Sequence, residues 1–164
     1  MDELVDVVDE HDRVLRTVTR AEMRAGRLRH RCTFVLVQDG AGRVLTHLRA
    51  PTKDMWPSRW DLAAGGVVTS GEDWDTAAAR ELAEEVGITA VELEPLGAGR
   101  YEDTDVAEVA RMWRVRWDGP VSFTDGEVVE ARWVTIDELR ERLAADPFVP
   151  DSVALLGPHL LGPS

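Results

Sequence analysis

The 164-residue sequence has a single cysteine, a single lysine and a single tyrosine, and no apolar run approaches the ~18 residues that a membrane span needs. With only Cys32 available, an intramolecular disulfide framework and a four-thiolate zinc site within one chain are both excluded. A reducing cytoplasm is the expected compartment, since the opening MDELVDVVDE has neither a basic n-region nor an apolar h-region. Positive charge is scarce too. Nineteen Lys+Arg face 31 Asp+Glu, a net charge of −12, which repels a polyphosphate backbone and argues against a nucleic-acid polymer as partner. A small anionic ligand stays open if cations or a few local arginines meet it. What remains is 44% apolar and 30% charged. That suits one globular domain over residues 1–164, which buries roughly 70% of its unfolded surface without a staple.

No repeat or linker interrupts the chain. Leu4–Asp9 and Arg13–Val18 read as a hairpin through Glu10-His11-Asp12, and Thr19-Arg20-Ala21-Glu22 has the form of a capping box that starts a short helix ending near Gly26. A second hairpin is predicted from Arg31–Gln38 and Arg43–Arg49 around Asp39-Gly40-Ala41-Gly42. Ala50–Arg59, with two prolines, reads as an ordered loop leading into a strand over Trp60–Val68. Asp73–Val86 is rich in Ala, Glu and Leu and meets Gly87 where a left-handed terminal residue belongs, so it is predicted to be a helix. Strands are expected at Ile88–Glu94, around Arg100, at Glu108–Trp117 and at Val128–Val134, with helices at Ile136–Ala145 and Ser152–Leu161. The order implies a mixed sheet covered by helices, an α/β fold.

On that central helix Glu81, Glu84 and Glu85 are spaced i, i+3 and i+4 and share an arc of roughly 100°. Such a stripe repels itself, by about 0.2–0.5 kcal/mol per pair on an exposed helix. It reads either as a solvated acidic face or as the seat of a hard divalent cation such as Mg²⁺ or Mn²⁺, which takes oxygen ligands. The surrounding pattern decides between them. Gly66, Glu72 and the run Arg80-Glu81-Leu82-Ala83-Glu84-Glu85-Val86-Gly87-Ile88 fill every fixed position of the box over residues 66–88 that defines the Nudix hydrolase superfamily. The chain resembles that superfamily.

The resemblance implies an α/β/α sandwich with a mixed sheet. It implies Mg²⁺- or Mn²⁺-dependent cleavage of a pyrophosphate bond in a nucleoside diphosphate, free or linked to another group. By that analogy Glu81 and Glu85 are metal ligands, Glu84 assists as ligand or through water, and the Gly65 carbonyl completes the shell. Arg80 and Glu72 pair structurally, with Gly66 and Gly87 as the box glycines. A late glutamate, Glu127 or Glu130, serves as general base or extra ligand, or else is a plain strand-edge carboxylate. Displacement at phosphorus needs charge neutralised on oxygen, an in-line water and a proton acceptor, and these residue types supply them.

The stretch His30–Gly66 is similar to the isopentenyl-diphosphate isomerase-like branch of the superfamily. In that branch an arginine and, four residues on, a lysine hold a diphosphate; Arg49 and Lys53 match the pair. The isomerase cysteine position is Gly65, however, and the histidine that follows it is Val67, so acid–base isomerisation is not expected. Of the metal histidines only His30 has a counterpart, and it reads as a structural residue or as one that supports a ligand from behind; Cys32 reads as a small core residue, and His47 as isolated. Trp56 and Trp60 either wall a base or prenyl pocket or lie in the core. Specificity is expected from the loops Ala50–Arg59 and Gly99–Ala107, with Arg100 and Tyr101 as contacts to base or phosphate. The N-terminal hairpin lies outside the minimal fold and is placed to reach a second copy in a homodimer. A Nudix domain that holds a nucleotide without turning it over is the alternative, though such domains often lose a box carboxylate.

Overall fold

The computed structural model describes residues 2–162. Strands β1 (Leu4–Val8) and β2 (Val14–Thr19) form an antiparallel hairpin, followed by helix α1 (Arg20–Ala25), whose N-cap Thr19 accepts a bond from the Glu22 N–H. The central sheet holds β3 (His30–Gln38), β4 (Val44–Arg49), β5 (Trp60–Asp61), β6 (Ala63–Ala64), β7 (Glu94–Glu102), β8 (Ala107–Arg116) and β9 (Val128–Val134). Helix α2 (Trp74–Val86) enters between β6 and β7; α3 (Ile136–Ala145) and α4 (Pro150–Leu161) close the chain.

β3 is the organising strand. It pairs in parallel with β8 over its whole length, from His30 opposite Glu108 to Gln38 opposite Arg116, and antiparallel with β6. Side chains alternate along such a strand. Cys32, Phe34 and Leu36 face one way, into a core with Met23, Leu139, Leu155 and Leu156, whereas Val35 and Val37 face α2 through Ala78, Leu82 and Val86. Because both faces are covered, β3 reads as a nearly continuous apolar run. The result is a mixed sheet between helices, an α/β/α sandwich.

Several expectations are corrected. β3 and β4 share one register pair, Gln38 with Val44; β4 then turns to β9 and β5, so the second hairpin splays open at once. The strand expected over Trp60–Val68 breaks into β5 and β6 because the chain changes partner from β4 to β3 at Leu62. Ile88–Glu94 is a connection up to Glu94. Gly87 turns in the left-handed region and Ala90 also has φ 57°, so Ile88 is buried and Val91 and Leu93 half-buried without joining a ladder. α4 begins at Pro150, whose missing N–H suits a first helical position. The hairpin packs on this chain's own core through Val5, Val7 and Val18, and leaves Leu4, Val14 and Leu15 exposed. Thr69 and Ser70 tie it to the segment before α2 by hydrogen bonds to Glu3 and Asp6.

Candidate active site

α2 is fixed at both ends. Asp73 accepts a 2.7 Å bond from the Thr76 N–H, and the Gly87 N–H donates to the Ala83 carbonyl from the left-handed region. Its last turn holds no basic residue, although Glu84 and Glu85 sit there against the negative end of the helix dipole. Local stability would favour the opposite charge, which makes tertiary partners necessary.

Those partners are specific. Arg80 makes a two-pronged contact with Glu72, 2.7 and 2.8 Å, tying the segment before the helix to its middle. Its remaining Nη1 donates to Glu81 at 2.9 Å and to Glu84 at 3.3 Å. Glu85 turns inward, where His47 Nε2 meets its carboxylate at 3.0 Å. Burial pulls the His47 imidazole down, but the hydrogen bond and charge of Glu85, with Asp61 beyond, outweigh it and raise the pKa above the ordinary value. Burial first, then the charge of Glu85, pushes the Glu81 carboxyl up to about 7 despite Arg80. Glu81 and Glu85 are therefore withdrawn from bulk water, while Glu84 remains largely exposed.

The neighbouring glycines leave room for this. A Cβ on Gly66 would lie 2.8 Å from the Glu81 carboxylate, so any side chain there would occupy its place. Gly65 has φ 153°, and a Cβ there would collide with the Thr33 carbonyl oxygen. Thr33 locks the pair: its N–H donates to the Gly66 carbonyl and its hydroxyl accepts from the Gly66 N–H.

Gly65, Gly66, Arg80, Glu81 and Glu84 border a cavity of about 520 Å³. Arg49 at the end of β4 and Lys53 and Trp56 of the loop Ala50–Arg59 border the same cavity, and Glu127 reaches it from just before β9. Arg49 donates twice to the Met55 carbonyl and lies 3.6 Å from Asp61; Lys53 pairs with Glu127 at 2.9 Å. Asp54 clamps the loop to α1 through Arg20 and Arg24, which also line the cavity. Trp60 is buried under Arg142, 4.2 Å from its ring centroid, and is a core residue.

Three candidates do not reach this place. Arg100 opens onto a different cleft and pairs with Glu10 on the hairpin, because its position on β7 points away from the cavity. Tyr101 packs on the core and donates its hydroxyl to Asp103 at 2.7 Å. Most of the expected Gly99–Ala107 loop is in fact strand, with only Asp103–Val106 between β7 and β8. Glu130 lies mid-strand on β9 and is held by Arg132. Spacing gave no sign of His47, Asp61 or Thr33, since each meets its partner only through tertiary contact: β4 pairs with β5, α2 packs on β4, and β3 meets the Gly65-Gly66 segment. Period-two alternation along the buried strand β3 could have placed Thr33 on the α2 face with Val35 and Val37.

The site offers three clustered carboxylates, Glu81 and Glu84 sharing Arg80 and Glu85 held by His47, a set of hard oxygen donors that outnumbers its cations and fits a hard dication. A model of the NUDIX domain matches residues 28–155. The chain is 39% identical over 158 residues to a Nudix hydrolase of Yersinia pestis, covering 94% of this chain and 84% of the relative. It is 40% identical to a Nudix hydrolase of Streptomyces coelicolor, covering 93% and 86%. Its backbone is similar to the crystal structure of the DR0079 protein of Deinococcus radiodurans, with a TM-score of 0.81 at 25% identity, covering 94% of this chain and 98% of the other.

Proposed function

This chain belongs to the Nudix family and is a pyrophosphohydrolase, and from that premise we propose that it hydrolyses nucleoside-diphosphate-type pyrophosphates with Mg²⁺ or Mn²⁺. The observation that carries the finer reading is the convergence on one cavity of the box carboxylates Glu81 and Glu84 and the cationic pair Arg49 and Lys53. Glu81 and Glu85, with the Gly65 carbonyl, are the ligands for the cation, and Glu84 assists from the solvent side. The bound cation supplies charge neutralisation on the non-bridging oxygens and positions the attacked phosphorus.

The protein's own groups do the rest. His47 holds Glu85 in one orientation, as supporting partners of metal ligands do. Arg49 presents a planar fork and Lys53 a point charge to the diphosphate. Lys53 is paired with Glu127 at 2.9 Å, so engaging phosphate releases that carboxylate to orient water and accept its proton. This favours Glu127 over Glu130 as the base. Trp56 offers the apolar wall for the rest of the substrate.

Kinship with the isomerase-like branch is supported by Arg49 and Lys53 reaching one cavity. Isomerase chemistry is disfavoured because position 65, where the cysteine would stand, has no space for a Cβ. The N-terminal unit belongs to the same working body, since Arg20 and Arg24 of α1 line the cavity. No helix among the described residues is long and apolar enough to cross a membrane, and the free, buried Cys32 suits a reducing compartment such as the cytoplasm.

The test is phosphate or pyrophosphate release from a panel of nucleoside diphosphates and their conjugates, with Mg²⁺ and Mn²⁺ titrated in parallel. Wild type is expected to turn over at least one member and Glu85→Gln to lose that activity. Equal rates in both proteins would overturn the assignment.

A further inference from the structure

One buried carboxylate touches both halves of the site and has no part in the chemistry above. Asp61 is 6% exposed, and β5 sets it directly opposite His47 of β4. Side chains alternate along β4, so His47 and Arg49 share the face that meets Asp61. Asp61 Oδ2 lies 4.0 Å from His47 Nε2 and 3.6 Å from Arg49 Nη1. Its Oδ1 accepts from the Ala63 N–H at 3.0 Å, which fixes the carboxylate where the chain leaves β5 for β6.

We propose that Asp61 is a positioning residue that joins the two halves of the site, holding His47 behind Glu85 and Arg49 against the cavity wall. It rests on the reading that Glu85 binds the cation and Arg49 the diphosphate.

Hydrogen bonding explains why both bases need such a partner. A carboxylate only accepts, so His47 Nε2 carries the proton that it gives to Glu85 at 3.0 Å. Asp61 is a second acceptor beside the same nitrogen. Arg49 has its Nε and Nη2 on the Met55 carbonyl, at 3.1 and 2.9 Å, which orients the guanidinium but supplies no countercharge. Asp61 supplies it on the side of Nη1.

Charge gives the line its order. From the metal end to the diphosphate end, Glu85, His47, Asp61 and Arg49 alternate carboxylate with base. The first three are each less than a tenth exposed, and Arg49 is half-buried. Removing one partner of a buried charge leaves the other uncompensated, so its neighbours rearrange to meet it. A carboxylate shared by two bases therefore transmits the loss of either one to the other. Local structure does not require that charge. The bond to the Ala63 N–H uses Oδ1 alone, and an asparagine would accept it equally well.

The experiment uses the full chain and Asp61→Asn, which keeps that acceptor and removes the charge. Mn²⁺ binding to substrate-free protein is read by electron paramagnetic resonance, and KM by hydrolysis of a nucleoside diphosphate that wild type turns over. Asp61→Asn is expected to weaken both constants by roughly 10-fold. In double-mutant cycles its effect on Mn²⁺ should shrink below about 2-fold in a His47→Gln background, and its effect on KM likewise in an Arg49→Gln background. Additivity in either cycle overturns the proposal, since a purely structural aspartate acts equally in every background. If Asp61→Asn does not fold, Arg49→Gln alone decides. Loss of a nearby cation by itself tightens Mn²⁺ binding, whereas release of Asp61 onto the His47 proton weakens it; weaker binding is expected, and unchanged or tighter binding overturns the proposal. Glu85→Gln separates premise from inference. Mn²⁺ binding that this change leaves intact removes the metal assignment and the role of Asp61 with it, whereas weakened binding beside an additive cycle removes the role of Asp61 alone.

Discussion

Two acidic clusters border one cavity, and they are built on different principles. The glutamates of α2 have counter-charges of their own: Arg80 for Glu81 and Glu84, His47 for Glu85. The buried cluster of Glu108, Asp151 and Cys32 takes no arginine hydrogen bond among the described residues, and its members hydrogen-bond one another. The first can stay ionised and hydrated at its edge, ready for a hard ion that exchanges with solvent and substrate. The second keeps its protons in an apolar layer, because burial raises Cys32, Glu108 and Asp151 alike. One cavity can therefore contain two electrostatic regimes, separated by which face of the sheet each group occupies.

The largest effect that separates them is on turnover. Glu85→Gln should lower pyrophosphate hydrolysis about 10³-fold, several kcal/mol of lost charge stabilisation, as measured by phosphate release at saturating Mg²⁺. Little change would break the comparison at its first member.

A pH-dependent effect comes next. Burial, then the charge of Glu85, raises Glu81 from 4.5 to about 7, so the folded protein binds this proton more tightly than the unfolded chain does. The stability contributed by this group therefore falls as pH rises between those values, and it is restored where the acid is protonated. In chelator-treated protein, Glu81→Gln should gain up to about 3 kcal/mol over wild type near pH 8 and little near pH 4. Urea unfolding at both pH values reads this, and a pH-independent difference would remove the crowded-carboxylate account.

His47→Gln should weaken metal activation about 10–100-fold with a smaller change in kcat at saturating metal, because His47 orients Glu85 and does not touch substrate. A loss confined to kcat would give His47 a different role. Smallest of all, Arg100→Ala should change kcat/KM by less than about 2-fold, since its side chain faces the other cleft and an exposed ion pair with Glu10 is worth little.

Much of this was legible in the chain because it depends on neighbours in sequence. The capping box at Thr19, the i, i+3, i+4 glutamates and the terminal Gly87 all act within one or two helical turns, and the bounds of α3 and β9 follow from local period and propensity. Where reading failed, partners lay far away. Ile88–Glu94 has the composition of a strand, but no ladder reaches it, and its apolar residues bury against α2 and the sheet. Arg100 and Glu130 have suitable chemistry on strands that aim them elsewhere. His47 looked isolated because Glu85, 38 positions on, approaches it only once β4 and α2 are packed.

The order of residues by itself determined the helix that carries the acids, the glycines that make room beside them and the family of chemistry they serve, since each is a matter of short-range spacing. Only the tertiary structure decided which carboxylates are withdrawn from water, which cation answers each of them, and that His30, Cys32, Glu108 and Asp151 meet at all. The reason is physical: burial and charge pairing are properties of space, and the parallel register of β3 with β8 joins segments that no local interaction brings together.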